Sequence, residues 1–400
     1  MNREICRGCG SNELEQIIDL GPQPLAGGFL PPDTDAIEKE KRHPLPIHFC
    51  CNCGLLQTLH VIPPDILFEN YCFSSSTIEY LVNHFEEYAL WMKNHYSPGS
   101  VVEFGCNDGI LLAPLEKLNI KACGVDISKN ITKIAKDKGL NVITGFFEED
   151  TAKSIINSFG KVDIVTGSNC FPHNDNPEVI LDATRRVLNK DGHLCLEFMY
   201  AGDLLETLQW DSMYHEHLSY YCVQTIDVLL RRHGFHVVDV ERIPMHAGSL
   251  RVVAAVNPRE KPKASVAKLV EYEKSIGLTN VETWREFGKS VKRKIDVVKT
   301  VFDKLSKNSR IWGYGAAGRA TMWVNACEMT YLEAMVDSSP LRSGRLMPGT
   351  HNPIVYPEAL RMDPPDYIFV TAWNYIDIIK AKESWYKGIW SVPVPELRFF

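Results

Sequence analysis

Apolar positions recur along this chain in two rhythms. Short runs of four to eight mainly apolar residues, VVEF (101–104), KACGVD (121–126), VDIVTGSN (162–169), GHLCLEFM (192–199), HVVDVERI (236–243) and SLRVVAAV (249–256), alternate in their earlier part with stretches of helical spacing. Runs of that length predict buried strands, and their alternation with helices predicts a parallel sheet. The last two runs lie too close together for a crossover helix, so they predict one antiparallel edge. A helix is expected ahead of them over TIEYLVNHFEEYALWMKNHY, and a charged helical pair over 261–307. A second strand–turn–helix follows in SRIWGYGAAGRATMWVNAC (309–327).

One stretch obeys neither rhythm. In WDSMYHEHLSYY (210–221), Tyr214, Glu216 and Ser219 interleave with His215, His217 and Tyr220, so polar groups point both ways. That is costly unless the segment lines a wet cleft.

Composition narrows the partners. The 400 residues are enough for two or three domains, and 45% hydrophobic content without low-complexity runs is globular. A net charge of -7 with no basic cluster gives no attraction for nucleic acid or for an anionic membrane. No apolar run approaches the roughly eighteen residues of a bilayer span, and the first residues lack an apolar leader, so a cytoplasmic protein is expected. In a reducing compartment the 12 cysteines favour metal ligation or buried thiols over disulfides. Cys6-x-x-Cys9 and Cys50-x-x-Cys53, each followed by glycine, have the spacing of two zinc knuckles, and four thiolates make a closed structural Zn2+ site. Cys51 falls outside that spacing. A nucleic-acid-binding ribbon is the rival reading, but the intervening residues are proline-rich and mixed in charge.

The turn after the first central strand carries Glu103-x-Gly105-x-Asn107-x-Gly109, and Asp126 ends the next strand, where a carboxylate can accept both hydroxyls of a ribose. A dinucleotide site would want Gly-x-Gly-x-x-Gly. The pattern instead matches the Glu-x-Gly-x-Gly-x-Gly turn of S-adenosylmethionine-dependent methyltransferases, with Asn107, which tolerates positive φ, at the middle glycine. Ser168 and Asn169 end the following strand on the ligand side of such a sheet, and His173 and Asn174 come just after.

The zinc knuckles, the Glu-x-Gly-x-Asn-Asp-Gly turn, FPHNDN, YHEHLSYY and HAGSLRV occur together and in the order found in the sugar-nucleotide C-methyltransferases, which the whole chain resembles. The resemblance implies an α/β protein in three parts. These are a zinc-ribbon lobe (1–75), a Rossmann-like S-adenosylmethionine-binding methyltransferase domain (76–257), and a helical linker with a second Rossmann-like domain that binds the nucleotide sugar (258–400). It implies C-methylation at C3 of a nucleotide-linked 4-keto-6-deoxyhexose, with His217 as base, Tyr214 as donor to the enolate, and Glu216 and His173 as orienting or sugar-contacting groups. Tyr71 matches a further family tyrosine, although Phe73 stands where a second hydroxyl is expected. Asn174, Tyr220, His246, Ser249, Arg251, Gly315, Arg319 and Asp337 are the implied substrate contacts. The oligomeric state is left open between a monomer and a small homo-oligomer.

The C-terminal Gly313-x-Gly315-x-x-Gly318, with Asp337 some twenty residues on, is a full dinucleotide fingerprint. Alone it would suggest an NAD-dependent oxidoreductase. The same glycines accept the diphosphate of a sugar nucleotide equally well, and too few residues follow for a dehydrogenase substrate domain. A nonenzymatic scaffold is a third reading, and it gives the YHEH stretch no special role.

Overall fold

The computed structural model describes residues 3–68 and 74–400. In the first lobe β1 (Leu14–Pro24), a short α1 (Thr34–Glu38), β2 (Arg42–Cys50) and β3 (Leu56–Thr58) form an antiparallel meander, and α2 (Pro64–Phe68) follows. Along β2 the alternate residues Leu45, Ile47 and Phe49 face the core, as one buried face requires.

The central domain opens with α3 (Glu79–Tyr96). It continues through β4 (Ser100–Phe104), α4 (Leu112–Lys117), β5 (Lys121–Asp126), α5 (Lys129–Asp137), β6 (Val142–Thr144), α6 (Glu149–Phe159), β7 (Val162–Ser168), α7 (Pro177–Val187) and β8 (Leu188–Met199). After α8 (Ala201–Glu206), β9 (Ser219–Tyr220) and α9 (Val223–Arg232), β10 (His236–Ile243) and β11 (Ser249–Ala255) complete a seven-stranded sheet of order β10-β11-β8-β7-β4-β5-β6. The expected antiparallel edge is present, formed by the β10–β11 pair. β11 is antiparallel to both neighbours and lies one strand in, while β10 is outermost. The short 244–248 turn requires the two strands to pair, but it does not say which of them docks on β8.

β9 leaves this domain altogether. It pairs antiparallel with β3, setting Tyr220 opposite Leu56 and Ser219 opposite Gln57, so the zinc lobe's sheet ends in a strand from the polar stretch. Arg7, buried, reinforces the junction by donating to the Thr58 carbonyl and to Asp175 Oδ1 at 2.8 Å.

Two long helices, α10 (Ala264–Ser275) and α11 (Val281–Leu305), lead to the last domain. They also pack back onto the rest. Glu273 of α10 is buried at the start of α9, accepting from the Val223 N–H at 2.7 Å, where the helix dipole favours an anion. On α11, a side chain at Gly288 would lie 2.8 Å from the Ile17 carbonyl of β1, and Arg285 pairs with Glu15. The last sheet comprises β12 (Ile311–Tyr314), β13 (Met335–Val336), β14 (Ile354–Val355), β15 (Tyr367–Val370), β16 (Ile389–Val392) and β17 (Arg398–Phe399), with α12 (Gly318–Ala326), α13 (Pro357–Met362) and α14 (Ile376–Lys382). Its order is β14-β13-β12-β15-β16-β17, parallel except for β17. Among the described residues, no helix is long and apolar enough to cross a membrane.

Candidate active site

The turn after β4 is a cradle that side chains would fill. Gly105 and Gly109 have positive φ (68° and 80°), and a Cβ on Gly105 would stand 2.6 Å from that of Cys170. Asn107 also has positive φ (50°), and its Oδ1 accepts from the Ser75 N–H at 2.9 Å, a bond no glycine could make. The neighbouring Asp108, fully buried, accepts from Ser74 Oγ at 2.7 Å and from Ser76 N at 3.2 Å. The segment entering α3 is thereby tied across the turn. Asp126 accepts from Asn107 N and Ser128 N, at 2.9 and 2.8 Å. Glu103 is buried beneath the turn with Oε2 unpartnered, and burial, with Asp126 and Glu197 nearby, holds its carboxyl far above the usual range.

Ahead of β9 the polar stretch is built of turns rather than strand. Trp210–Ser212 form a single 3-10 turn, and the His217 N–H donates to the Tyr214 carbonyl at 2.9 Å. His215 and His217 therefore do not share a face. His215 is directed to the zinc lobe, its Nε2 3.2 Å from the His43 carbonyl and its ring against those of His43 and His60. His217 turns the other way, with Nδ1 2.7 Å from the Ser212 carbonyl. A carbonyl can only accept, so Nδ1 carries the hydrogen and Nε2 keeps its lone pair.

Around His217 the rings close in. Tyr214 lies 4.0 Å away between centroids, and His173, from the turn after β7, stacks at 5.1 Å. Burial, then the neighbouring His173, pushes His217 well below the usual histidine range, and burial alone takes His173 to about 4. Both are neutral imidazoles at pH 7. Burial and the Glu216 charge push the Tyr214 hydroxyl up, so it stays a proton donor. Glu216, also buried, is raised to about 7 by desolvation, against the lowering effect of the Gly27 N–H at 3.2 Å from its Oε1. Neutral base-type nitrogen, protonated phenol and a carboxyl poised near neutrality thus meet around one turn.

Three family models match in succession: a zinc binding domain over residues 6–68, a methyltransferase domain over 80–240, and a C-methyltransferase C-terminal domain over 244–395. The chain is 30% identical to the C-methyltransferase NovU of Streptomyces niveus over 98% of its own length and 96% of that protein's. It belongs to the S-adenosylmethionine-dependent C-methyltransferases. An uncharacterized protein of Methanocaldococcus jannaschii, MJ1123, is 26% identical over 36% of this chain and 68% of its own. Among solved structures, the magnesium protoporphyrin IX methyltransferase of Synechocystis PCC 6803 aligns over 44% of this chain and 82% of its own, at 18% identity and a TM-score of 0.34. The CcbJ methyltransferase of Streptomyces caelestis aligns over 43% and 89%, at 15% identity and a TM-score of 0.35.

The donor sets of this C-methyltransferase suit both groups that the family uses. Sγ atoms of Cys6, Cys9, Cys50 and Cys53 all lie within 4.8 Å of one another, with Cys6–Cys53 and Cys9–Cys50 at 3.6 Å. A zinc tetrathiolate has edges of about 3.8 Å, so four ligands fit and no position stays open. Gly8 N and Asn52 Nδ2 donate to the sulfurs of Cys6 and Cys9, each at 3.3 Å. At the β4 turn, Asp126 keeps lone pairs for ribose hydroxyls, and the unpartnered Glu103 oxygen suits an ammonium donor.

The remaining residues expected from sequence are dispersed. Ser168 Oγ and the Asn169 N–H both bond Glu197, at 3.4 and 2.7 Å, at the carboxyl end of β7. Asn174 donates to the Cys170 carbonyl at 2.8 Å within its own turn. Arg251 is enclosed between Tyr88 and Trp91 and paired with Glu197 at 2.6 Å, and Ser249 Oγ donates to the Met245 carbonyl; both side chains serve the sheet. Tyr220 is buried on β9 with its hydroxyl unpartnered. His246 lies beside Arg319, which donates to its carbonyl at 2.9 Å. Gly315 has φ 94° and packs on Ala372, while Asp337 accepts from Ala316 N and Ser339 N, both at 2.8 Å, and pairs with Arg342. Tyr71 lies outside the described residues.

Sequence reasoning missed Gly27, which holds Glu216, and the buried Asp211. That carboxylate accepts from the indoles of Trp323 and Trp373 at 3.0 and 2.8 Å. Neither has a local signature; Asp211 stood in the quoted stretch without a visible partner.

Proposed function

We propose that this C-methyltransferase acts at C3 of a nucleotide-linked 4-keto-6-deoxy sugar, through an enolate. The observation that carries the reading is the His217 tautomer: Nδ1–H is committed to the Ser212 carbonyl, and the free Nε2 lone pair belongs to a neutral ring packed on Tyr214. A C–H next to a ketone needs a base on carbon and a donor on oxygen, and these are the two groups present.

Nε2 of His217 takes the C3 proton. The C–H electrons become the C3=C4 bond, and the carbonyl pair moves onto oxygen, where the Tyr214 O–H donates. S-adenosylmethionine, when bound, supplies the electrophilic methyl that C3 acquires. His173, stacked on His217 and neutral, limits ring rotation without adding charge. Glu216, anchored to the zinc lobe by Gly27, orients the turn between Tyr214 and His217. Sequence resemblance supports the sugar-nucleotide substrate, with Arg319 and His246 as contacts at the same cleft.

The test uses a panel of 4-keto-6-deoxy sugar nucleotides. A fourteen-dalton gain with S-adenosylmethionine is expected, together with exchange of the C3 hydrogen in deuterated water before any methyl transfer. His217→Asn should lower exchange by on the order of a hundred to ten thousand fold while S-adenosylhomocysteine still binds. Exchange at the wild-type rate in that variant would place the base elsewhere.

A further inference from the structure

Two glycines of the C-terminal fingerprint pack within their own domain. A Cβ on Gly313 would collide with Met335 of β13, and one on Gly315 with Ala372. The third is different. A Cβ on Gly318 would lie 3.1 Å from Cζ of Tyr214, and 3.3 Å from both its Cε1 and its hydroxyl oxygen. In a dinucleotide fold the third glycine permits close helix–strand packing. Here it permits a tyrosine of another domain to lie against the first turn of α12.

The surroundings hold that contact in place. Arg319, the next residue, donates to Gln209 Oε1 and to the His246 carbonyl, both at 2.9 Å, and its guanidinium covers the Trp373 ring. Farther along α12, Trp323 donates to Asp211. Gln209 and Asp211 lie just ahead of Tyr214, so α12 holds the approach to the tyrosine as well as the ring itself. Asp337, the fingerprint's acidic residue, is already bonded by two backbone N–H groups of its own domain and by Arg342.

We propose that Gly318 is a positioning residue for Tyr214. Its missing side chain seats the phenol ring against α12, so the C-terminal domain completes the methyltransferase cleft through this glycine. The consequence for catalysis rests on the function proposed above; the seating itself does not. With a methyl at Gly318, the ring must give by a few tenths of an ångström, and its hydroxyl moves with it. Misplacing a catalytic group by up to an ångström costs as much as about a hundredfold in rate.

Gly318→Ala is an informative variant because the residue opens α12 without positive φ, and alanine is the best helix former. Loss of function would therefore reflect the ring and not the helix. In wild type, Gly318→Ala should slow C3 hydrogen exchange tenfold or more, leaving KM for the nucleotide sugar and the S-adenosylhomocysteine thermal shift unchanged. It should also lower Tm, and this loss should vanish in a Tyr214→Ala background, where the space is free. A raised KM with unchanged exchange at saturation would make Gly318 part of a diphosphate clamp and overturn the proposal. So would a Tm loss that persists without the Tyr214 ring. If wild type exchanged no 4-keto sugar at all, the substrate reading would fall, while the stability cycle would still decide the seating of Tyr214.

Discussion

Replacing Glu216 by glutamine removes an ionisable proton and keeps nearly the same shape. The amide oxygen can still accept from Gly27 N, now 3.2 Å from Glu216 Oε1, and among the described residues no cation pairs with this carboxylate. The residue is 9% exposed, and desolvation raises its carboxyl from 4.5 to about 7. At about 1.36 kcal/mol per pKa unit, holding the ionised form in the folded protein costs about 3 kcal/mol. The sign follows from proton counting. Below pH 4.5 both folded and unfolded chains keep the proton, and the group contributes nothing. Between 4.5 and 7 the unfolded chain ionises first, so stability falls as pH rises. Above 7 both are ionised and the whole cost is present.

Glu216→Gln should accordingly be close to neutral in stability near pH 4.5 and stabilising by up to about 3 kcal/mol at pH 8. Urea unfolding of the zinc-loaded protein, at both pH values and for both chains, measures the difference directly. Other groups titrate alike in the two chains and cancel. An equal difference at both pH values would mean that the carboxyl is not held protonated by burial. A glutamine variant less stable at pH 8 would mean that the folded protein supplies the carboxylate with a compensating donor, which would refute the reasoning. A carboxyl kept at this cost is expected to serve activity, so the stabilised variant should also be slower in C3 hydrogen exchange, though less affected than His217→Asn.

The purified protein should contain one zinc, and Cys6→Ser or Cys53→Ser should lower Tm without selectively abolishing methyl transfer in the fraction that stays folded. S-adenosylhomocysteine should raise Tm and NAD should not, and Asp126→Ala should weaken that shift; stabilisation by NAD alone would restore the oxidoreductase reading. On the enolate route proposed above, Tyr214→Phe should slow C3 exchange by removing the donor yet leave the His217 nitrogen in place, so residual exchange should exceed that of His217→Asn. His215, 1% exposed and packed on His43 and His60, is held neutral by burial down to about 4, so its contribution to stability, full above pH 6.5, should be lost progressively as pH falls toward 4. A pH 5 to pH 7 difference in Tm no smaller in His215→Asn than in wild type would refute that assignment.

The parts of this protein that rest on local chemistry were legible in its sequence. Strand–turn–helix spacing announced both parallel sheets, and Cys-x-x-Cys pairs announced the metal lobe, because each needs only residues near one another in the chain. Where an element goes after leaving its own domain was not legible. Ser219 and Tyr220 look like more of the polar stretch, yet they pair with β3 of the zinc lobe, since a two-residue strand takes its partner from whatever edge lies open. His215 and His217 read as one face of a strand, but the turn closed by the His217 N–H gives them different neighbours, the zinc lobe for His215 and the central domain for His217. The middle position of the cofactor turn shows the same limit. Asn107 was legible as a residue that accepts positive φ, but not as the acceptor that fastens Ser75 over the turn.

Three long-range contacts end within a few residues of His217. Gly27 comes from the zinc lobe, His173 from the central sheet and Gly318 from the last domain, and all three bear on Tyr214–His217. A turn with no strand or helix of its own has little intrinsic rigidity, so neutral, desolvated groups can be held there only by neighbours already fixed in place. The three-domain architecture supplies those neighbours. It also accounts for a dinucleotide-type fingerprint in a methyltransferase: the close approach that glycines allow a nucleotide is, at Gly318, an approach allowed to a side chain of the protein itself.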